Sequence, residues 1–120
     1  MKKFLVLLLL VACSEKKTET PLSPKDFSSK YKSTPNAILL DVRTEAEVSA
    51  GAISGAKNIV FDDFFADKLK DLPTDAPIFV YCAAGKRTAK AAEIMREKGY
   101  KEVYQLKGGL NAWKEAKLPL

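Results

Sequence analysis

The run Pro77-Ile78-Phe79-Val80-Tyr81 does most to limit what this chain can become. A short β-branched and aromatic stretch without polar alternation belongs in a strand covered on both faces, as in parallel sheets flanked by helices. The residues that follow agree. Positions 87–98 carry Ala, Ile, Met, Lys and Glu with no Pro or Gly, and Gly99 stands where a glycine would close the helix. The same alternation recurs along the chain. Strands are expected near Ile38, Asn58, Ile78 and Val103, and helices near Thr44, over 62–69, at Thr88 and at Leu110. The expected fold class is α/β, with a central parallel sheet and helices on both faces.

Between the strand at Ile78 and its helix lie Cys82, Ala83, Ala84, Gly85, Lys86, Arg87 and Thr88. A helix N-terminus offers unpaired N–H groups and about half a positive charge, which stabilise an anion such as a thiolate. Lys86 and Arg87 add two formal cations, so the Cys82 thiol is expected to ionise below its ordinary range. Gly85 lets the backbone turn through positive φ and brings its amide close to whatever anion the loop holds. The alternative is a buried, inert structural thiol, since free Cys is among the most buried residue types. Placement on a strand-to-helix turn followed by two cations favours a nucleophile.

A second junction of this kind follows Ala37-Ile38-Leu39-Leu40. Asp41 and Arg43 lie at the strand's carboxyl end, where ligands of open α/β sheets gather. Thr44 can cap the next helix, with Glu47 three residues later completing a capping box. An ion pair tying loop to helix is the favoured role for Asp41 and Arg43, ahead of direct catalysis. The pair Gly108-Gly109 lacks the spacing of a nucleotide-binding loop and reads as close backbone packing, with Trp113 as a core anchor.

Four segments, Leu39 to Glu47, Gly51 to Ala56, Cys82 to Arg87 and Lys107 to Trp113, together resemble a single-domain rhodanese in the family's order. The resemblance implies a rhodanese-like α/β domain that transfers a sulfane sulfur through a persulfide on Cys82. It implies amides from Ala83 to Arg87 cradling that persulfide, Lys86 and Arg87 stabilising charge, and Asp41, Arg43 and Thr88 in support. A small donor such as thiosulfate would supply the sulfur, and a thiophilic acceptor such as cyanide or a thiol would remove it. Only four residues separate Cys82 from Arg87, a ring smaller than the related dual-specificity phosphatases use around phosphate. Ala52, Ser54 and Ala83 depart from the common pattern, where His, Pro and often a basic residue stand. Two other readings stay open: a persulfide or redox relay to a thiol protein partner, and a noncatalytic rhodanese-like binding module.

The front of the chain carries a different message. Met1-Lys2-Lys3 is a basic start, residues 4–11 are apolar, and Leu10-Val11-Ala12-Cys13 resembles the cleavage motif of a bacterial lipoprotein signal. Eight apolar residues are too few to cross a bilayer, which takes about 20. The expected organisation is a signal peptide at 1–12, a lipidated Cys13 with a flexible tether to 24, and one domain at 25–120. Lipid on Cys13 would place the protein in the bacterial cell envelope, on a membrane's periplasmic or outer face. The alternative is an ordinary signal, with Cys13 left free to pair with Cys82 in a disulfide.

Composition narrows the remaining classes. The chain has 20 Lys and Arg against 15 Asp and Glu, and the net charge of +5 falls to +3 once Lys2 and Lys3 leave. These charges are interleaved along the chain, so no nucleic-acid footprint is expected. With no His and no clustered Cys, neither a Cys-His protease nor a metal site is expected, and no cofactor motif is present.

Overall fold

The computed structural model describes residues 20–120. The expected leader, Cys13 and most of the tether lie outside the described residues. The fold is the expected α/β arrangement: α1 Pro24–Ser33, β1 Ile38–Asp41, α2 Glu45–Ser49, β2 Lys57–Asn58, α3 Phe65–Lys68, a 3-10 turn at Leu69–Asp71, β3 Ile78–Tyr81, α4 Lys86–Glu97, β4 Val103–Gln105 and α5 Gly109–Glu115. The four strands are all parallel, in the order β2-β1-β3-β4. Leu40 faces Val80 across the central pair and Val80 faces Gln105 on the other side.

Strand β3 is covered on both faces, which is why its sequence is apolar throughout. Successive side chains alternate between two cores. Ile78 and Val80 join Leu40, Phe65, Leu69, Ala91 and Met95 on one face. Phe79 and Tyr81 join Leu39, Phe27, Leu110 and Trp113 on the other. Phe27 meets Phe79 edge-on at 5.4 Å and Trp113 at 6.4 Å between ring centroids. Burying a side chain of this size contributes about 1.5–3 kcal/mol, so Phe27 fixes α1 firmly to the sheet. Trp113 is the expected anchor, and its indole N–H donates to the Pro119 carbonyl at 3.0 Å.

Two details differ from the sequence reading. Helix α1 was not expected, and the fold begins before its first residue: Leu22 forms a parallel bridge to Leu106, and the Ser23 hydroxyl accepts the Asp26 amide at 3.2 Å as the helix cap. The helix expected over 62–69 starts only at Phe65. The Asp62 carboxylate accepts the Phe64 amide at 2.9 Å, and this side-chain turn holds residues 62–64 out of the helix.

The sheet order places a topological switch between β1 and β3, since the chain leaves β1 outward to β2 and returns to β3 on the other side. Crevices at the carboxyl ends of such strands are where open α/β sheets bind ligands. Cys82 follows β3 at that position.

Candidate active site

Strand β3 delivers Cys82 to the crevice and α4 closes the loop behind it. Gly85 caps α4 with φ of 106°, a conformation that side-chain-bearing residues rarely adopt, and no side chain occupies the cap. The amides at the start of α4 therefore stay open toward the sulfur. The Gly85 N–H donates to Cys82 Sγ at 3.1 Å.

Cys82 is 1 % exposed, and burial alone pushes its thiol up. The opposing contributions win, so the pKa lies below the ordinary thiol value: the Thr88 hydroxyl acts first, then the amides of Thr88, Gly85 and Ala84. Thr88 Oγ1 is fully buried and misses strict hydrogen-bond geometry with every described partner. Its proximity to the sulfur favours the thiolate, and an added sulfur or anion would complete its hydrogen bonding.

The backbone of the loop is oriented from outside. The amides of Leu110 and Asn111 donate to the carbonyls of Cys82 and Ala83 at 2.8 and 3.0 Å. With those carbonyls turned toward α5, the loop's own amides face inward. The approach requires glycine at position 109, where a Cβ would lie 2.4 Å from the Ala83 oxygen and φ is 65°.

Of the expected cations, Arg87 is engaged elsewhere. Its guanidinium bonds Glu47 with both arms, Nη1 to Oε1 at 2.8 Å and Nη2 to Oε2 at 3.1 Å. Glu47 is the principal cause that raises the Arg87 pKa, and the Cys82 charge contributes a smaller part. Arg87 lowers Glu47 to about 2, assisted by the Thr44 amide. Lys86 is exposed and lines grooves on the outer side of the loop. The Cys82 shift is thus carried by the loop's amides and Thr88, with Arg87 as a distant charge.

Asp41 and Arg43 form a buried pair. Arg43 Nη2 meets Asp41 Oδ2 at 2.7 Å, its Nε reaches Asp41 Oδ1 at 3.0 Å, and Nη2 also donates to the Gly51 carbonyl at 2.7 Å. The Asp41 hydrogen bonds raise Arg43 against the opposing effect of burial. Neither residue is hydrogen-bonded to Cys82, which fits the tie between loop and helix read from the sequence. The expected capping box is present, with the Thr44 hydroxyl accepting the Glu47 amide at 3.2 Å and Glu47 Oε1 accepting the Thr44 amide at 3.0 Å.

Glu47 is the site residue whose reach the sequence does not reveal. As a capping residue it is legible, but its second role depends on a contact with a residue 40 positions away. A depression of about 490 Å³ lined by Leu69, Leu72, Lys98 and Tyr100 shares no residue with the cysteine loop.

A family model described as the rhodanese-like domain matches residues 23–116. A sulfurtransferase of Allochromatium vinosum is 28% identical over 99 residues, covering 82% of this chain and 92% of that protein. A tRNA uridine(34) hydroxylase of Nitrobacter winogradskyi is 39% identical over 95 residues, 74% of this chain but only 36% of that enzyme. Among solved structures, a rhodanese-related protein from Thermoplasma volcanium superposes with a TM-score of 0.74 at 29% identity, covering 84% of this chain and 96% of that one.

Proposed function

The chain belongs to the rhodanese-like domain family, and we propose that it is a sulfurtransferase whose Cys82 carries sulfur as a persulfide. One observation carries the reading: a buried thiol with a lowered pKa lies against inward-facing amides at the carboxyl end of the central strand. That combination favours the thiolate, the nucleophilic form, and offers a cradle for the anion.

In the first half-reaction the Cys82 thiolate attacks the outer sulfur of thiosulfate. The new S–S bond forms as the old one breaks, and sulfite departs with the bonding electron pair. Cys82 then holds a terminal sulfur anion, to which the amides of Ala84, Gly85 and Thr88 and the Thr88 hydroxyl can donate. In the second half-reaction an acceptor thiolate or cyanide attacks that outer sulfur, and the Cys82 thiolate leaves and is regenerated. The loop's small size suits a single added sulfur.

Hydroxylation belongs to the Nitrobacter relative as a whole, and this chain spans about a third of it. The setting proposed for the reaction is the bacterial envelope, with the chain anchored through lipid on Cys13. The support is the sequence pattern before Cys13.

Incubation of the purified protein with thiosulfate, removal of the excess and measurement of intact mass tests the chemistry. A gain of ~32 Da that cyanide or a thiol removes, and that Cys82→Ser lacks, is the expected result of persulfidation. No gain with either thiosulfate or 3-mercaptopyruvate would overturn the enzyme and leave a binding module. A gain that only a protein thiol can discharge would identify a relay.

A further inference from the structure

We propose that the face carrying the cysteine loop docks on an anionic bilayer surface through Lys86, Lys90 and Lys107. The proposal rests on the reading of Cys13 as a lipid anchor. The three lysines are exposed and border one groove of about 400 Å³ beside the loop. Lys86 and Lys90 are four residues apart on α4 and so share a face, while Lys107 comes from the turn after β4. No acidic residue lines the groove. The ion pairs among the described residues are Arg43 with Asp41, Lys68 with Asp62 and Arg87 with Glu47, so none of these three lysines is neutralised by one.

The chain joins the domain at this same groove. Pro21 lines it, the Leu22 amide donates to the Gln105 carbonyl at 2.8 Å, and the Lys107 amide donates to the Leu22 carbonyl at 2.8 Å. Residues 14–21 connect Cys13 to that point. Eight residues reach at most about 29 Å when fully extended, and about 16 Å as a flexible chain. A domain of roughly 100 residues has a radius of gyration of about 13 Å, so the connection is on average shorter than the domain is wide. An anchor at Cys13 therefore keeps the lysine-bordered groove close to the lipid. Residues 14–20 hold two Lys and two Glu, so they add no net charge that would oppose the approach. Anionic headgroups attract lysines within about a Debye length, ~8 Å at physiological ionic strength. Docking in this pose sets the outer side of the loop against the membrane surface.

The acylated full-length protein, reconstituted into vesicles in a Cys82→Ser background, provides the test. A fluorophore is placed either at Ala89→Cys, in the groove, or at Lys101→Cys, ahead of β4 at the opposite end of the sheet, and headgroup spin-labelled lipid serves as quencher. On vesicles containing phosphatidylglycerol, quenching at position 89 is expected to exceed that at 101 several-fold. The excess is expected to vanish on pure phosphatidylcholine and in Lys90→Glu/Lys107→Glu. Equal quenching at the two positions, or an excess indifferent to vesicle charge, overturns the docking and leaves the lysine face to an acidic protein. Intact mass of the same preparation separates the two premises: an unacylated Cys13 overturns the anchor and the docking together, whereas an acylated protein with equal quenching overturns the docking alone.

Discussion

The turns after β1 and β3 lie side by side at one end of the sheet, and each runs into a helix, yet they are built to opposite ends. The first satisfies itself. Asp41 neutralises Arg43, the Thr44 hydroxyl and Glu47 carboxylate cap α2 reciprocally, and Arg43 covers the Gly51 carbonyl. The second leaves its amides without a side-chain cap and sets a thiol among them. The first junction is closed to ligands because its polar groups pair with one another, and the second is receptive because its amides converge on a reactive sulfur. The Glu47–Arg87 pair links the two, tying the closed junction to the rim of the open one.

Breaking the closed junction should give the largest effect on stability. Asp41→Ala leaves Arg43 buried without its carboxylate, a loss of about 3–5 kcal/mol in chemical denaturation. Thiol ionisation should stay near wild type in whatever fraction folds, and a large shift in the alkylation profile of Cys82 would show that the junctions are not separable. Gly109→Ala comes next. Its Cβ would collide with the Ala83 carbonyl, and strained backbone costs of order 1–3 kcal/mol before the collision is relieved. Stability and thiol reactivity should fall together, because the contact that is lost orients the loop.

Thr88→Val probes the open junction alone. The substitution keeps volume and removes a hydroxyl that has no strict partner, so denaturation midpoints should hardly move. Iodoacetamide alkylation of Cys82 should shift to higher pH and slow several-fold at neutrality. An unchanged profile would remove Thr88 from the site.

Glu47→Gln is the mildest test. Gln still caps α2, so the change reports the charge on the bridge to Arg87. The folded carboxyl titrates at about 2 against 4.5 unpaired. A depressed carboxylate stabilises the fold above the unfolded value, and that stability is lost as pH falls through the folded one. The wild type should therefore be the more stable by under about 1 kcal/mol near neutrality, as for a partly exposed ion pair. The difference should disappear between pH 4.5 and 2. A gap that persists below pH 2 would mean the pair's charge is not its source.

The comparison also explains what could be read from the chain beforehand. Local rules write the capping box of Thr44 and Glu47, the apolar β3 and the glycine turn at Gly85, and each was legible. Helix α1 was missed because its only large apolar residues, Phe27 and Tyr31, stand among Ser, Lys and Asp, although Ser23, Pro24 and Asp26 make a recognisable helix start. The loop's amides were legible as a source of the thiol shift, alongside the charges of Lys86 and Arg87. Charges adjacent in sequence invite the idea that Lys86 and Arg87 act on Cys82, but the helical turn sends Lys86 outward, and Glu47 claims Arg87. Contacts across 40 positions are set by the sheet order, which no local pattern states.

The carbonyls of Cys82 and Ala83 are held by the amides of Leu110 and Asn111, and this gives the molecule a timing. A ribosome makes the thiol well before it makes the residues that orient its loop. Until α5 has emerged and docked, the carbonyls of Cys82 and Ala83 lack the amides that hold them. The loop's final orientation is thus fixed late, when the domain is nearly complete.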